Sequence, residues 1–299
     1  MTSPTPTGQT PTVQTPTRGS RIIAFQGALG ANSDVACRIV HPEMETLPCH
    51  SFEDAFAAVR TGRAELAMIP IENSIAGRVA DVHHLMPESG LFIIGEHFQP
   101  IRHQLMANAD ASLETIRSVH THVQALGQCR RRIAELKLEP VVAADTAGAA
   151  AELAAAPDPT RAVIATTLAA EIYGLKILEQ DIEDAEHNTT RFLVLSRDRG
   201  HYPVTDAPSI TTFVFQVRSV PAALYKALGG FATNGVNLTR LESYMLNGHF
   251  VATQFYADAE GHPDHPAMRR AFEELEFFTE RFELLGAYSA HPYRDQAKG

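Results

Sequence analysis

The chain has 299 residues, 44% hydrophobic and 20% charged, with a formal net charge of -10. This length allows two domains with hydrophobic cores, and the acidic balance excludes a broad basic surface for nucleic acid. The three cysteines lack the spacing of a disulfide framework or a zinc site, so a reducing cytoplasm is expected. No apolar run approaches the length of a membrane span.

The first twenty residues are rich in Thr and Pro, and Arg18 is their one charged residue. They lack the apolar segment of a signal peptide and cannot bury enough surface to fold, so we predict a disordered tail over 1–20. From Arg21 to about Leu178, short apolar runs alternate with helical patterns. This alternation predicts an α/β fold with mainly parallel strands.

A predicted strand at Arg21–Phe25 leads into the glycine-bearing loop Gly27–Ser33. Asn32 or Ser33 can cap the helix that follows, which we expect to end near Val40. A loop of this kind offers backbone N–H groups to an anion. Its spacing matches neither a Walker loop nor a dinucleotide fingerprint, so a plain structural turn is an equally good interpretation.

A buried strand predicted at Leu66–Ile69 delivers the chain to Glu72, Asn73 and Ser74. Asn73 can donate and accept hydrogen bonds, Glu72 can orient it, and Ser74 can cap the helix that we expect to end at Met86. These residues form either a functional site or simply a helix cap.

A second polar segment follows the strand-like residues near Val119. Thr121 is predicted to cap a helix that continues to about Leu136, which places Gln124 in the first turn, where a neutral donor suits an anion. The alternative is an ordinary capped helix with a solvated Gln. Because Asn73, Gln124 and the glycine loop all follow strands, they fall where α/β sheets bind ligands.

Residues Asn188–Phe192 directly precede a predicted buried strand. Thr190 can donate a hydrogen bond to a departing oxygen, and Arg191 can hold a carboxylate in a bidentate fork. The competing interpretation is a common strand-entry turn with a solvated Arg.

A polar linker at Asp198–Pro208 marks a predicted domain boundary. After it the pattern changes to β-α-β-β-α-β, with a hairpin turn predicted at Asn247-Gly248. This order is typical of the ferredoxin-like split unit. Strand edges in such small sheets commonly pair with a second copy.

These motifs occur in a distinctive order, with two further ones in the last unit. They are Pro70–Ser74, Gln124-Ala125-Leu126, Thr190-Arg191-Phe192, Gly235–Thr239 and Leu241-Glu242-Ser243. Together they closely resemble the monofunctional bacterial prephenate dehydratases with a C-terminal ACT domain. The resemblance covers roughly Arg21 to Tyr288.

The resemblance implies an α/β fold: a two-lobed catalytic domain similar to type II periplasmic binding proteins at 21–200, and a ferredoxin-like βαββαβ ACT regulatory domain at 208–290. It implies conversion of prephenate to phenylpyruvate, water and carbon dioxide in L-phenylalanine biosynthesis, without metal or organic cofactor. It also implies a cytoplasmic homodimer or homotetramer, with L-phenylalanine as allosteric effector.

Carried onto this chain residue by residue, the resemblance implies three groups of site residues. The catalytic group is Thr190, Arg191, Asn73 and Glu72. The substrate-binding group is Ser74, Thr121, Gln124, Ser33 and Phe192. The effector-binding group is Ala222, Ala223, Leu224, Asn237, Leu238, Glu242 and Ser243.

The chain departs from the family pattern at two places. Ala31 stands where the first loop usually has Thr. In the ACT-like unit Ala222 replaces the Gly of Gly-Ala-Leu, and Tyr244-Met245 replaces Arg-Pro after Glu-Ser.

Two alternatives remain open. Arogenate can replace prephenate as substrate, since no single residue of the pattern reads the side chain. A non-catalytic amino-acid sensor has the same architecture, but it needs no hydrogen-bond donor such as Thr190 at a leaving group. A periplasmic binding protein is disfavoured because no signal peptide is predicted.

Overall fold

The computed structural model of the protein describes residues 21–200, 202–205, 207–218, 220–245 and 252–296. The predicted tail and the predicted Asn247-Gly248 turn lie outside these residues. The strands are β1 (Ile22–Gln26), β2 (Glu45–Cys49), β3 (Leu66–Asn73), β4 (Gly77–Arg78), β5 (Phe92–Pro100), β6 (Gln104–Ala107), β7 (Ser118–His122), β8 (Glu139–Ala143), β9 (Arg161–Ala165), β10 (Lys176–Glu179), β11 (Thr189–Ser196), β12 (Ser209–Val217), β13 (Leu238–Met245), β14 (Ala252–Glu260) and β15 (Thr279–Ser289).

The helices are α1 (Asn32–Val40), α2 (Phe52–Arg60), α3 (Ala80–Leu85), α4 (Val123–Gln128), α5 (Arg130–Glu135), α6 (Thr146–Ala155), α7 (Thr167–Tyr173), α8 (Ala223–Thr233), α9 (Pro266–Phe278) and α10 (Tyr293–Gln296). None of the helices in the described part of the chain is long and apolar enough to cross a membrane.

The chain divides into two compact units. The first unit holds the chain up to Ala55, Glu72–Gly77 and Gln99–Thr190. The second unit holds Phe56–Ile71, Arg78–Phe98 and the chain from Arg191 onward. Strands β3, β5 and β11 each contribute residues to both units.

The first unit contains a five-stranded sheet of order β10-β6-β9-β7-β8 and the parallel pair β1–β2. Strand β7 runs parallel to β8 and β9, whereas β6 is antiparallel to its neighbours β9 and β10. The sheet is therefore mixed rather than mainly parallel as predicted.

A core on one face of this sheet joins the strands to α4 and α5. Leu105, Val119 and Ile164 project from the strands and pack with Ala125 and Ile133 of the two helices. All five side chains are at most 7% exposed. This packing holds the end of β7 and the start of α4 rigidly, which matters for the residues that the sequence placed there.

The helix predicted to run to Leu136 is broken at Cys129. Asp184 causes the break: its backbone N–H donates to the carbonyl of Gln128, and its carboxylate accepts the N–H of Arg131 at 3.2 Å. A side chain from a distant segment thus caps α5, which sequence periodicity does not reveal.

Strand β2 was not predicted from the sequence. It contains Pro48, which cannot donate to a sheet ladder and argues locally against a strand. The strand is possible because β2 is an edge strand that pairs with β1 alone, and edge strands tolerate proline.

The last elements of the second unit form a four-stranded antiparallel sheet of order β13-β14-β12-β15. The predicted β-α-β-β-α-β order is present, with α8 and α9 packed against the sheet. Their core is aromatic: Phe213 of β12 stacks on Phe231 at 5.5 Å between ring centroids and meets Phe272 edge-on at 5.1 Å.

A buried histidine of the second unit gives a testable pH dependence. His83 on α3 is fully buried, and its Nε2 accepts a hydrogen bond from Nη2 of Arg240 at 3.1 Å. Burial, and then the charge of Arg240, lower the pKa of His83 to about 3. Because an Arg side chain can only donate, the histidine is neutral in the folded protein.

Because of this histidine, we expect the protein to become less stable as the pH falls. In the unfolded chain His83 titrates near its ordinary value of 6.5, so below that pH only the unfolded state takes up the proton. The stabilisation is complete above pH 6.5 and is lost as the pH falls toward 3, by at most about 1.4 kcal/mol per pH unit. Urea unfolding at several pH values should show a shallower dependence in His83→Gln. An identical slope in the variant would contradict this assignment.

Candidate active site

The centre of the candidate site is a hydrogen bond between the end of β3 and the start of β11. Asn73 Nδ2 donates to Thr190 Oγ1 at 3.0 Å, and both residues belong to the first unit. The same amide nitrogen also lies 2.8 Å from Asn188 Oδ1. The residues that the sequence predicted from two separate motifs, Asn73 and Thr190, are therefore in direct contact.

The orientation of the Asn73 amide is fixed by the backbone that follows it. Its Oδ1 accepts the N–H groups of Ile75 at 3.0 Å and Ala76 at 2.8 Å. Because oxygen alone can accept these two bonds, the nitrogen must face Thr190. The turn after β3 thus holds Nδ2 toward the hydroxyl.

This contact determines what the Thr190 hydroxyl can do. A hydroxyl carries one proton and can accept as well as donate. Since Oγ1 accepts from Asn73, its own proton remains available to another acceptor, and accepting a bond strengthens the donor. Thr190 is 9% exposed, so the hydroxyl is largely shielded from water.

Asn188 is a site residue that the sequence analysis did not assign. It is 1% exposed, its Oδ1 accepts from Asn73, and its backbone carbonyl accepts the N–H of Ile101 at 2.8 Å. Its buried Nδ2 makes no hydrogen bond to any described residue. The available signal was its position within the Asn188–Phe192 motif. Its role here is to anchor Asn73.

One interpretation of the sequence was that Ser74 caps a helix, but in the structure it does not. Its hydroxyl donates to the carbonyl of His187 at 2.7 Å and accepts the N–H of Thr189 at 2.9 Å. Helix α3 begins later, with Val79 as its N-cap and no side-chain cap. Ser74 therefore ties the turn after β3 to the start of β11. Glu72 is half-buried beside it on β3.

The glycine loop after β1 is held by residues other than those predicted. Ala31 is the N-cap of α1 without a side-chain bond, so neither Asn32 nor Ser33 caps the helix. Instead the fully buried carboxylate of Asp34 accepts the N–H of Gly30 at 2.8 Å. Thr166, the N-cap of α7, donates from its hydroxyl to the Gly30 carbonyl at 2.5 Å. Ser33 is 8% exposed.

Gly30 cannot be replaced by alanine without moving this loop. It has φ +85°, and a Cβ would lie 2.7 Å from the backbone Cα of Ala169. Gly174 also has a positive φ, +64°, but no described atom lies within 4 Å of its would-be Cβ. We expect Gly174→Ala to lower the free energy of unfolding by about 1 kcal/mol, and Gly30→Ala to lower it clearly more. Urea unfolding of the two variants checks this, and equal losses would contradict it.

The two polar residues predicted near the end of β7, Thr121 and Gln124, have different environments in the structure. Thr121 is fully buried and its hydroxyl donates to the carbonyl of Ile164 at 2.7 Å, so it joins β7 to β9. The helix cap is His122, whose Nδ1 accepts the N–H of Gln124. Thr121 neither caps α4 nor presents a free hydroxyl, because its strand position points inward. Gln124 is exposed in the first turn.

Arg191 belongs to a buried ion network of the second unit. Its Nε lies 2.8 Å from Glu96 Oε2, its Nη1 2.5 Å from Asp258 Oδ2 and its Nη2 3.0 Å from the Tyr288 hydroxyl. The side chain is 3% exposed. The expectation that Arg191 holds a substrate carboxylate is therefore corrected: protein carboxylates already occupy its guanidinium. Phe192, at 1% exposure, is likewise part of the core.

The charges in this network shift each other's pKa values. Burial alone would lower the pKa of Arg191, but Asp258, Tyr288 and Glu96 outweigh it and hold the pKa well above its ordinary value. Burial raises the pKa of Asp258, yet Arg191 and Thr212 bring it below the usual value. Glu96 is held low in the same way, against burial, by Arg294 and Arg191. All the charged groups stay ionised at neutral pH.

The predicted effector residues lie in the second unit. Ala222 adopts φ +63°, a left-handed conformation that favours glycine, so the family's usual Gly at this position has a physical reason. Ala223 is buried and Leu224 packs on the aromatic core. Asn237 donates to Glu260 at 3.1 Å just before Leu238 begins β13.

Two further effector candidates lie on β13 and have protein partners. Glu242 Oε2 lies 3.3 Å from Nη1 of Arg78. The carbonyl of Ser243 accepts from the same nitrogen at 3.4 Å. Both contacts lie within the second unit.

A family model of prephenate dehydratase matches residues 23–200, which include the whole Asn73–Thr190 cluster. The chain belongs to the prephenate dehydratase family. It is thus a lyase-type enzyme, a dehydratase whose reaction includes decarboxylation. This membership excludes the non-catalytic sensor.

Relatives with known names agree with this membership. The chain is 54% identical to a bifunctional N-acyl-homoserine lactone acylase/prephenate dehydratase of Komagataeibacter europaeus, over 92% of this chain and 98% of the relative. It is 36% identical to arogenate dehydratase/prephenate dehydratase 2 of Arabidopsis thaliana, over 95% and 77%. The solved prephenate dehydratase of Arthrobacter aurescens in complex with L-Phe is 31% identical, with TM-score 0.81 and 90% of each chain covered.

Proposed function

We propose that this prephenate dehydratase family member converts prephenate to phenylpyruvate, water and carbon dioxide in L-phenylalanine biosynthesis. The observation that carries the proposal is the Thr190 hydroxyl, held by Asn73 Nδ2 at 3.0 Å with its own proton available. A preorganised donor of this kind is what the expulsion of a poor leaving group requires.

Prephenate carries a ring hydroxyl opposite a carboxylated ring carbon. Loss of carbon dioxide from one end and of hydroxide from the other makes the ring aromatic, so the reaction is strongly downhill. The barrier lies in charge developing on the departing oxygen. The hydroxyl of Thr190 donates to that oxygen, and Asn73 and Asn188 keep the donor in place.

Binding of the substrate dianion has to be assigned without Arg191, because Glu96 and Asp258 occupy its guanidinium. Neutral donors at the strand ends take this role in our proposal. Gln124, exposed in the first turn of α4, is one such donor. Glu72, half-buried on β3, orients the polar cluster.

Regulation by L-phenylalanine through an ACT domain at 208–290 is part of the proposal, with the catalytic domain at 21–200. It is supported by the β-α-β-β-α-β order after Ser209 and by the L-Phe bound in the Arthrobacter aurescens relative. We further propose a cytoplasmic homodimer or homotetramer, since an edge strand such as β13 can pair with a second copy.

The names of two relatives suggest two other activities, which can be tested together with the dehydration of prephenate. The Arabidopsis thaliana relative is named for both arogenate and prephenate. The Komagataeibacter europaeus relative is also named an N-acyl-homoserine lactone acylase, and its 54% identity makes amide hydrolysis a second candidate function.

The test is a comparison of kcat/KM on prephenate, arogenate and an N-acyl-homoserine lactone with the purified protein. We expect phenylpyruvate from prephenate as the fastest reaction. Phenylalanine formed faster from arogenate would retain the chemistry and change the substrate. Release of a fatty acid alone, with neither dehydration, would contradict the proposal. Calorimetry with L-phenylalanine tests the effector site separately.

A further inference from the structure

The guanidinium of Arg191 closes a ring of hydrogen bonds with three strands of the four-stranded sheet. Arg191 donates to Tyr288 on β15 at 3.0 Å and to Asp258 on β14 at 2.5 Å. Thr212 on β12 lies 2.6 Å from Asp258 Oδ1 and 2.7 Å from the Tyr288 hydroxyl. All four residues belong to the second unit.

The direction of each bond in the ring follows from the chemistry of its members. Arginine only donates and an ionised carboxylate only accepts. Thr212 must therefore donate to Asp258, which leaves the Tyr288 hydroxyl to donate to Thr212 while it accepts from Arg191. Every proton in the ring has one acceptor, so the ring has a single arrangement.

The other side of the guanidinium is held as firmly. Glu96 accepts from Arg191 Nε at 2.8 Å and is itself fixed by Arg294, through Nε at 2.6 Å and Nη2 at 2.8 Å, and by the N–H of His291 at 3.0 Å. The side chain of Glu96 is fully buried. Arg191 has little freedom to shift without breaking charged hydrogen bonds in a dry environment.

Arg191 directly follows Thr190 in β11, and the two share a peptide bond. Neighbouring residues of a strand point to opposite faces, so Thr190 can face a substrate while Arg191 faces the network. We propose that Arg191 is a positioning residue, through which the ring of Tyr288, Thr212 and Asp258 fixes the place of the Thr190 hydroxyl. The inference rests on the proposed dehydratase function.

The consequence is a catalytic effect of residues that touch no substrate. A displacement of about an ångström at a reacting group can cost up to about a hundredfold in rate. Loosening the ring should therefore lower kcat, and substrate binding should change little because Gln124, the donor assigned to the substrate, is unaltered. A purely structural ring would lower stability and leave kcat unchanged.

The structure offers a matched pair of variants for this test. Tyr288 and Tyr256 both have fully buried side chains in the four-stranded sheet. The Tyr288 hydroxyl makes two bonds of the ring, whereas the Tyr256 hydroxyl makes no hydrogen bond to any described residue. Tyr288→Phe thus opens the ring, and Tyr256→Phe removes the same atom without opening it.

We expect Tyr288→Phe to lower kcat on prephenate about tenfold at a temperature where both variants are folded, with KM near that of the wild type. Tyr256→Phe should keep the wild-type kcat. Thr212→Val, which opens the ring at another bond, should repeat the loss and replaces Tyr288→Phe if that variant does not fold.

Three outcomes would overturn the inference. Wild-type kcat in Tyr288→Phe with only a lower Tm would make the ring purely structural. An equal loss of kcat in both Phe variants would show that the ring is not the cause. A wild-type protein without turnover on prephenate would overturn the proposed function itself, and this inference with it.

Discussion

Replacing Thr190 by valine is expected to lower kcat on prephenate about a hundred- to a thousandfold, which is the usual effect of removing one preorganised donor to a developing oxyanion. Valine has the shape of threonine but cannot donate to the departing hydroxide. The side chain is 9% exposed and its Oγ1 accepts from Asn73. The fold should persist, because one buried hydrogen bond contributes only about 1 kcal/mol.

Thr190→Ser is the matched control for the valine variant. It keeps the hydroxyl and loses a methyl group, so most of the turnover should remain. Steady-state kinetics of the two variants, with circular dichroism as a check of folding, decide the point. Near-normal turnover in a folded Thr190→Val would remove Thr190 from the catalytic group.

Replacing Arg191 by methionine should cause the largest loss of stability of any variant considered. Removing one member of a buried ion pair typically costs about 3–5 kcal/mol, because it leaves an uncompensated buried charge. Here Asp258, whose side chain is fully buried, would lose its 2.5 Å partner. Glu96 would retain Arg294 at 2.6 Å, so the penalty falls mainly on Asp258.

An exposed ion pair on β15, in the four-stranded sheet that carries Asp258, is the control for this prediction. Arg281 and Glu283 lie 2.6 Å apart, with side chains 47% and 36% exposed. Arg281→Met should lower the free energy of unfolding by at most about 1 kcal/mol. Urea unfolding of both variants measures the difference. Similar small losses in the two would mean that the Arg191 network contributes little to stability.

Elements with local signals were predicted well from the sequence. The sequence Ser51-Phe52-Glu53-Asp54 has a capping pattern that predicts a helix start, and the Ser51 hydroxyl accepts the N–H of Asp54 at the start of α2. A glycine directly after a helical run predicts a left-handed helix end, and Gly174 ends α7 with φ +64°. Such features depend on neighbouring residues only. Strand β2 was missed because Pro48 argues against a strand locally, while the edge position that permits it is a tertiary fact.

The residues of the site were largely predictable from the sequence, but the residues that they contact were not. The motif order placed Asn73 and Thr190 in one site, and they are hydrogen-bonded although 117 residues apart. The same pattern predicted that Arg191 binds the substrate. This was wrong because its actual partner, Asp258, lies 67 residues away, and no residue near Arg191 in the sequence indicates that contact. Thr121 was predicted to cap α4, because the hydrogen bond from its hydroxyl to the Ile164 carbonyl depends on a residue 43 positions away in the chain.

The most direct test of the account separates binding from chemistry in Thr190→Val. Calorimetry gives the Kd for prephenate at a temperature where wild-type turnover is slow, and single-turnover experiments with enzyme in excess give the rate of phenylpyruvate formation. We predict a similar Kd and a rate lowered about a hundredfold or more, because the hydroxyl stabilises the transition state rather than the bound substrate. A Kd weakened to the same extent, with an unchanged rate at saturation, would contradict the account and make Thr190 a substrate-binding residue only.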